Sequence, residues 1–307
     1  MKILNKILIG SLSLLCLSSC DFLDETAYNK VTVGNFYTTK DGITNGVNGL
    51  YSTLRGIGHQ GHEQWYNWTI DATNADVRSF WYSCYKSVNQ CNAVIESLEN
   101  NDIPGLDEDL KTRFLAESLF IRAHYFYHLV QQFGDIPMPL KPTNSVETTA
   151  HKTKVDEVWN QIVTDLEFAV ENLPETYQAS EFGHITKYAA MHHLSRVYLT
   201  LKRSDDDLKK ALNYAEQVIN SGKYSLVKSH AELWDINNKN NSEVLFSVLY
   251  TQNAELNGDG NTAHMYFCSA YSEEHPAVKR VSEYGRPWSR ERSSDFAISL
   301  FDKTKDQ

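Results

Sequence analysis

Along much of the chain apolar residues recur at steps of three and four, the spacing that places them on one face of an α-helix. Trp81, Tyr85, Val88, Asn92 and Ile95 follow this rhythm, which predicts a helix over Trp81 to Leu98 with Asn92 buried in an otherwise apolar face. Leu115, Leu119, Phe126, Val130 and Phe133 line the stripe of a further helix. Asp107, Glu108 and Asp109 stand at its start, where the positive end of the helix dipole favours carboxylates, and Gly134 ends it. Val155, Val158, Ile162, Leu166, Ala169 and Leu173 make an equally regular stripe closed by Pro174. Asp41 to Leu54 reads as a shorter helix, weakened by Gly42, Gly46 and Gly49 at roughly 1 kcal/mol each unless close packing needs them.

Two more helices are predicted over Lys187 to Lys202 and Leu208 to Asn220. The first carries Leu194-Ser195-x-x-Tyr198 and the second Ala211 and Ala215, the small-residue and tyrosine pattern of a tetratricopeptide hairpin. Extra residues around Arg203 to Asp206 break the standard period, so a generic antiparallel pair is the alternative. Asp205, Asp206 and Asp207 read as a capping, solvated run. After Tyr224 the texture changes: Glu243 to Tyr250 is rich in strand formers and is bounded by polar loops, including Asn257 to Asn261. Phe296 to Lys303 reads as the start of another helix. The expected fold is mainly α, a tetratricopeptide-like scaffold of helical hairpins with a small, loop-rich, partly β ligand-binding region.

The N-terminus follows a different rule. Lys2 and Lys6 precede an apolar run from Ile7 to Leu17, too short to span a bilayer, and Leu17-Ser18-Ser19 leads into Cys20. This reads as a removed lipoprotein signal, residues 1–19, with a lipid attached to Cys20 and a polar arm over residues 20–35. The alternative is an ordinary cleaved signal with a chance cysteine. Several acyl chains would hold the mature protein to a membrane, at roughly 0.8 kcal/mol per buried methylene.

Charge narrows the partners. The 307 residues carry −10, and loss of Lys2 and Lys6 takes the mature part to −12. That balance argues against nucleic acid or anionic lipid as a broad electrostatic partner. The five cysteines make no disulfide framework: Cys16 leaves with the signal, and Cys84 and Cys91 sit on one helix roughly 10 Å apart, too far to bridge. Cys268 has no obvious partner.

Catalytic signatures are sparse. His124 and His128 have the spacing of a zinc helix, but Tyr125 stands where a zincin carries its glutamate and no third ligand is evident. His192 and His193 point to different faces of their helix. No nucleophile elbow, phosphate-binding loop or dinucleotide fingerprint occurs. Acidic residues are plentiful, but nothing singles out a glycosidase pair. Arg122 and Glu117 read as a scaffold ion pair.

Sugar recognition needs flat aromatic faces beside planar polar groups. Trp65, Trp68, Asp71, Asn74, Asp76, Arg78 and Trp81 concentrate both kinds around one predicted loop, and Tyr284, Arg286, Trp288 and Arg290 form a second cluster. Core packing competes with ligand stacking for Trp65, Trp68 and Trp81. Trp288, in a loop, is the better platform.

Several segments, in this order, resemble the SusD/RagB family of outer-membrane lipoproteins: Cys20-Asp-Phe-Leu-Asp24, Phe36-Tyr37, Gly46 to Tyr51, Ala116 to Ala123 continuing to Phe133-Gly-Asp-Ile-Pro137, Asp165-Leu166 with Leu173-Pro174, Ile185 to Ala190 with Arg196 to Leu199, and Ala215 to Tyr224. The resemblance implies a helical scaffold over residues 36–224 bearing an irregular ligand-binding region. It also implies that the two aromatic clusters lie where the family builds its ligand site. The implied role is capture of a nutrient, a glycan or for some members a peptide, at the cell surface for a SusC-like TonB-dependent barrel; the expected ligand here is an oligosaccharide, with no chemistry, cofactor or metal. Family members run to about twice a typical domain's length, so residues 225–307 are expected to be the start of a truncated loop-rich region. The rival expectations are a tetratricopeptide adaptor for protein peptides and a lipid-anchored glycoside hydrolase.

Overall fold

The structure, a computed structural model, describes residues 36–57, 71, 73–143, 145, 149–235, 237–250 and 299–300. Its helices are α1 (Lys40–Thr53), α2 (Ala75–Asn100), α3 (Glu108–Phe133), α4 (Val155–Asn172), α5 (Lys187–Leu201), α6 (Asp205–Asn220) and the short α7 (His230–Leu233). From α2 to α6 each helix packs on its sequence neighbours, and α1 lies against both α2 and α3.

The helix starts follow from local chemistry. Thr39, Asn74, Asp107, Thr186 and Ser204 each accept a backbone N–H of the first turn they precede, satisfying donors that the helix itself leaves open. α4 lacks a side-chain cap of its own. Instead Asp135, at the end of the preceding connection, accepts the Val155 N–H at 3.0 Å and pairs with Lys154 at 2.8 Å. Gly134 closes α3 at φ 66°, a left-handed value that a Cβ disfavours.

Close packing explains two of the three glycines of α1. A Cβ on Gly46 would stand 2.5 Å from the Tyr37 ring, and one on Gly42 would collide with the Phe36 carbonyl. Gly49 has open space around it and no such reason.

α3 is the centre of the core. Its apolar positions form more than the stripe expected from the sequence, since every residue from Ala116 to Ala123 is buried. A helix surrounded in this way must find partners for its polar side chains inside the protein. Ser118 returns its hydroxyl to the Phe114 carbonyl at 2.8 Å. Arg122 makes a two-pronged pair with Asp165 of α4, both contacts at 2.8 Å, and donates a third bond to Asn92 of α2 at 3.1 Å. Asn92 in turn donates to the carbonyls of Pro139 and Lys141. The ion pair expected between Arg122 and Glu117 is therefore corrected: five positions apart on one helix, they face different neighbours, and each finds its own partners.

The α5–α6 hairpin is closely approached. Ser195 donates to the Ala211 carbonyl at 2.7 Å, and the Tyr198 and Tyr214 rings stack at 6.2 Å. Of the acidic run, Asp205 and Asp206 are solvated, whereas Asp207 is buried and accepts the Arg203 N–H at 2.9 Å. Cys84 and Cys91 are buried and unbridged.

The partly β character expected for residues 243–250 is not found. Among the described residues no strand forms, and an isolated bridge joins Ile136 and Thr153. Strand-forming side chains need a partner strand for their backbone groups. This segment instead lies on the helices. Phe246 packs at ring distances of 6.4 Å from Tyr51 and 6.2 Å from Phe120, and the Leu249 carbonyl accepts two bonds from the Arg55 guanidinium. No described helix is long and apolar enough to cross a membrane.

Candidate functional site

The described members of the first cluster lie at the entry into α2 and on its first turns. Asp71 accepts the backbone and hydroxyl of Thr73 at 2.8 and 2.6 Å, bonds that hold its carboxyl below the usual carboxylate range. Asn74 caps the helix, taking the N–H groups of Asp76 and Val77 at 2.8 and 3.3 Å. Asp76 lies in the first turn, at the positive end of the dipole. Arg78, one turn on, is exposed. Asp71 and Asn74 thus build the turn into α2, and neither they nor Asp76 and Arg78 line the cleft that Trp81 enters.

Trp81 follows on the same helix and is half-buried. Its ring stands edge-on to Phe133 at 4.8 Å and tilted to Tyr85 at 4.7 Å. Together Trp81 and Tyr85 line an open cleft of about 500 Å³ between α2 and the connection from α3 to α4. Met138 and Pro139 supply apolar wall, and Thr143, Thr149 and His151 supply polar groups. The wall is fixed from behind: Tyr85 donates its hydroxyl to the Pro137 carbonyl at 2.6 Å, and Asn92 holds Pro139. The cleft therefore places aromatic rings beside hydroxyls and an imidazole, the two kinds of group that sugar recognition uses. Cys20, Trp65, Trp68, Tyr284, Arg286, Trp288 and Arg290 lie outside the described residues.

A second cleft, of about 310 Å³, opens between the end of α1, residues 182–184 and residues 246–249. Behind it sits Glu117, completely buried. It accepts the Tyr51 hydroxyl at 2.7 Å and the Tyr177 hydroxyl at 3.3 Å, meets His184 Nδ1 at 2.8 Å, and pairs with Arg113 at 3.3 Å. Burial, and then the Glu117 charge, push the Tyr51 phenol well above its ordinary pKa, so it remains a donor. Tyr51 also accepts the Ile185 N–H at 3.0 Å, tying the loop after α4 to α1. Sequence reasoning did not assemble this group, because its members come from segments far apart in the chain and no local spacing links them.

A third cleft, of about 360 Å³, lies between α3, α5 and residues 243–246 and is lined by His124, His192, His193 and Arg196. The His124 ring stands 4.6 Å from His128 and 5.2 Å from His193. The sequence offers His124 and His128 no third neighbour, and the fold brings His193 beside them. Burial depresses all three imidazoles, His193 to about 3, and keeps them neutral. Among the described residues no three His, Cys, Asp or Glu side chains are arranged to hold a metal ion.

Among the described residues the protein is a set of stacked helices that leave open clefts lined by aromatic and polar side chains. Comparison with known proteins gives this class its particular family. Residues 21–199 match the SusD-like family described as starch-binding and associating with the outer membrane, and the chain belongs to that family. The SusD-like protein P25 of Formosa agariphila is 25% identical over 279 residues, 81% of this chain and 52% of that protein. A laminarin-binding SusD-like protein of known structure is 25% identical, with a TM-score of 0.62 over 71% of this chain and 53% of that one. A SusD superfamily protein from Parabacteroides distasonis matches the fold at a TM-score of 0.70, 20% identical, over 89% of this chain and 61% of that one. The chain spans about half the length of the curated relatives it matches.

Proposed function

We propose that the chain is a lipid-anchored outer-membrane protein that binds an oligosaccharide and passes it to a SusC-like TonB-dependent barrel without chemistry. The observation that carries this reading is the family match over residues 21–199. The Trp81–Tyr85 cleft supports it, since it offers the two tilted aromatic faces and the polar rim that a sugar requires. In this reading Trp81 stacks on the ligand, and Asp71, Asn74, Asp76 and Arg78 frame the approach from the start of α2. Trp65, Trp68, Tyr284, Arg286, Trp288 and Arg290 complete the ligand surface. Residues 1–19 are a removed signal, Cys20 carries the lipid, and the arm over residues 20–35 links the anchor to the helical body.

Purification from detergent-solubilised outer membranes tests the partner. Recovery of a large β-barrel in equal amount supports the reading, whereas recovery of the lipoprotein alone goes against delivery to a transporter. Cys20→Ala should move the chain out of the membrane fraction, and retention there would sink the anchor.

A further inference from the structure

The third cleft carries chemistry that the stacking site does not use. On α5, His192 and Arg196 stand four residues apart and project from one face. Arg196 is exposed, and its guanidinium lies 5.9 Å from the centre of the Tyr127 ring, a cation–π contact that holds it in place. Among the described residues no carboxylate forms an ion pair with it. Behind this rim His193 is 5% exposed, and its Nε2 has no hydrogen-bond partner among the described residues. That nitrogen is a hydrogen-bonding capacity the fold leaves unused, and such groups call for a functional account. Glu243 lines the cleft from the 243–246 segment, and with it the cleft presents a cation, neutral imidazoles and one acceptor carboxylate.

We propose that this cleft is a second saccharide site, selective for a sugar that bears an oxyanion, either a carboxylate or a sulfate. Arg196 holds the oxyanion through its planar fork of donors, His192 adds a ring nitrogen from the same face, and Glu243 accepts from ring hydroxyls. The distinction from a neutral sugar comes from the charge-assisted bonds to Arg196. Hydrogen bonds to charged groups correspond to a preference of roughly ten- to a hundredfold. The cleft is separate from the Trp81–Tyr85 surface: the two share no lining residue. The proposal rests on the saccharide-binding reading and adds to it the class of sugar.

The test uses the full mature chain. A uronic-acid disaccharide and a sulfated galactose are titrated by calorimetry against neutral sugars of the same ring stereochemistry, with inorganic sulfate as a further probe. The His192 imidazole is followed by NMR. At least one acidic sugar should bind ten times more tightly than its neutral counterpart and shift the His192 resonances. Arg196→Gln, at an exposed position, should abolish both effects. Which of the two sugars succeeds distinguishes a carboxylate from a sulfate site. Equal affinity for acidic and neutral sugars, or an acidic preference that survives Arg196→Gln, overturns the proposal. So does inorganic sulfate binding as tightly as the sulfated sugar. Quenching of tryptophan fluorescence by neutral oligosaccharides reports on the broader reading independently. If that quenching persists while the acidic preference is absent, only the second site falls.

Discussion

Replacing Asp165 by leucine leaves the Arg122 guanidinium buried without its counter-charge. In the folded protein the two side chains are 6% and 2% exposed, and both prongs of the pair measure 2.8 Å. Removing one partner of such a pair costs roughly 3–5 kcal/mol, because the remaining charge keeps its desolvation penalty and loses its compensation. Against a typical total stability of about 5–15 kcal/mol this is a large loss. Urea unfolding followed by circular dichroism should show the midpoint falling by on the order of 1–2 M at an unchanged slope. The double variant Arg122→Leu/Asp165→Leu should regain most of the loss, because no charge is then left behind. A deficit of about 1 kcal/mol should persist, since Asn92 loses the Arg122 donor at its side-chain oxygen. A cost below about 1 kcal/mol for Asp165→Leu alone, or a double variant as unstable as the single one, would refute the reasoning. Asn92 also holds the Pro139 carbonyl in the wall of the Trp81 cleft, so Asp165→Leu is expected to weaken oligosaccharide binding in the surviving folded fraction.

Three further outcomes are expected. Trp81→Ala should lower oligosaccharide affinity about tenfold by removing one stacking face, measured by calorimetry, and unchanged affinity would place the ligand elsewhere. Gly46→Ala should destabilise the fold by about 1–3 kcal/mol, because the new methyl meets the Tyr37 ring at 2.5 Å, and a gain in melting temperature would contradict that crowding. Stability should also fall on acidification. His193 binds a proton near its ordinary 6.5 when unfolded but only at about 3 when folded, so its contribution is complete above about pH 6.5 and is lost progressively as pH drops toward 3. Between pH 6.5 and 5 this amounts to about 2 kcal/mol. His193→Phe should flatten that part of the pH profile, and a profile unchanged by the substitution would count against a buried neutral imidazole.

Periodicity determined the helices because each one's buried face is written locally, in residues three and four apart. That is why α2, α4 and α5 are legible in the amino-acid order alone, and why Asn92 can be placed inside an apolar face. The order of motifs points to the family for the same reason. Tertiary structure decided which buried polar groups meet. Arg122 found Asp165 rather than Glu117, and Glu117 found Tyr51 and His184 instead, because partner choice depends on helix rotation and on contacts far apart in sequence. His193 joined His124 only when α5 packed on α3. The 243–250 segment misleads for a related reason: its β-branched and aromatic residues satisfy a strand or a helix surface equally well, and the available neighbour was a helical scaffold. Composition placed Trp81 among aromatic and polar residues near α2, but packing gave it Tyr85 and the connection from α3 to α4 as the walls of a cleft, since a concave surface belongs to several chain segments at once and to none of them alone.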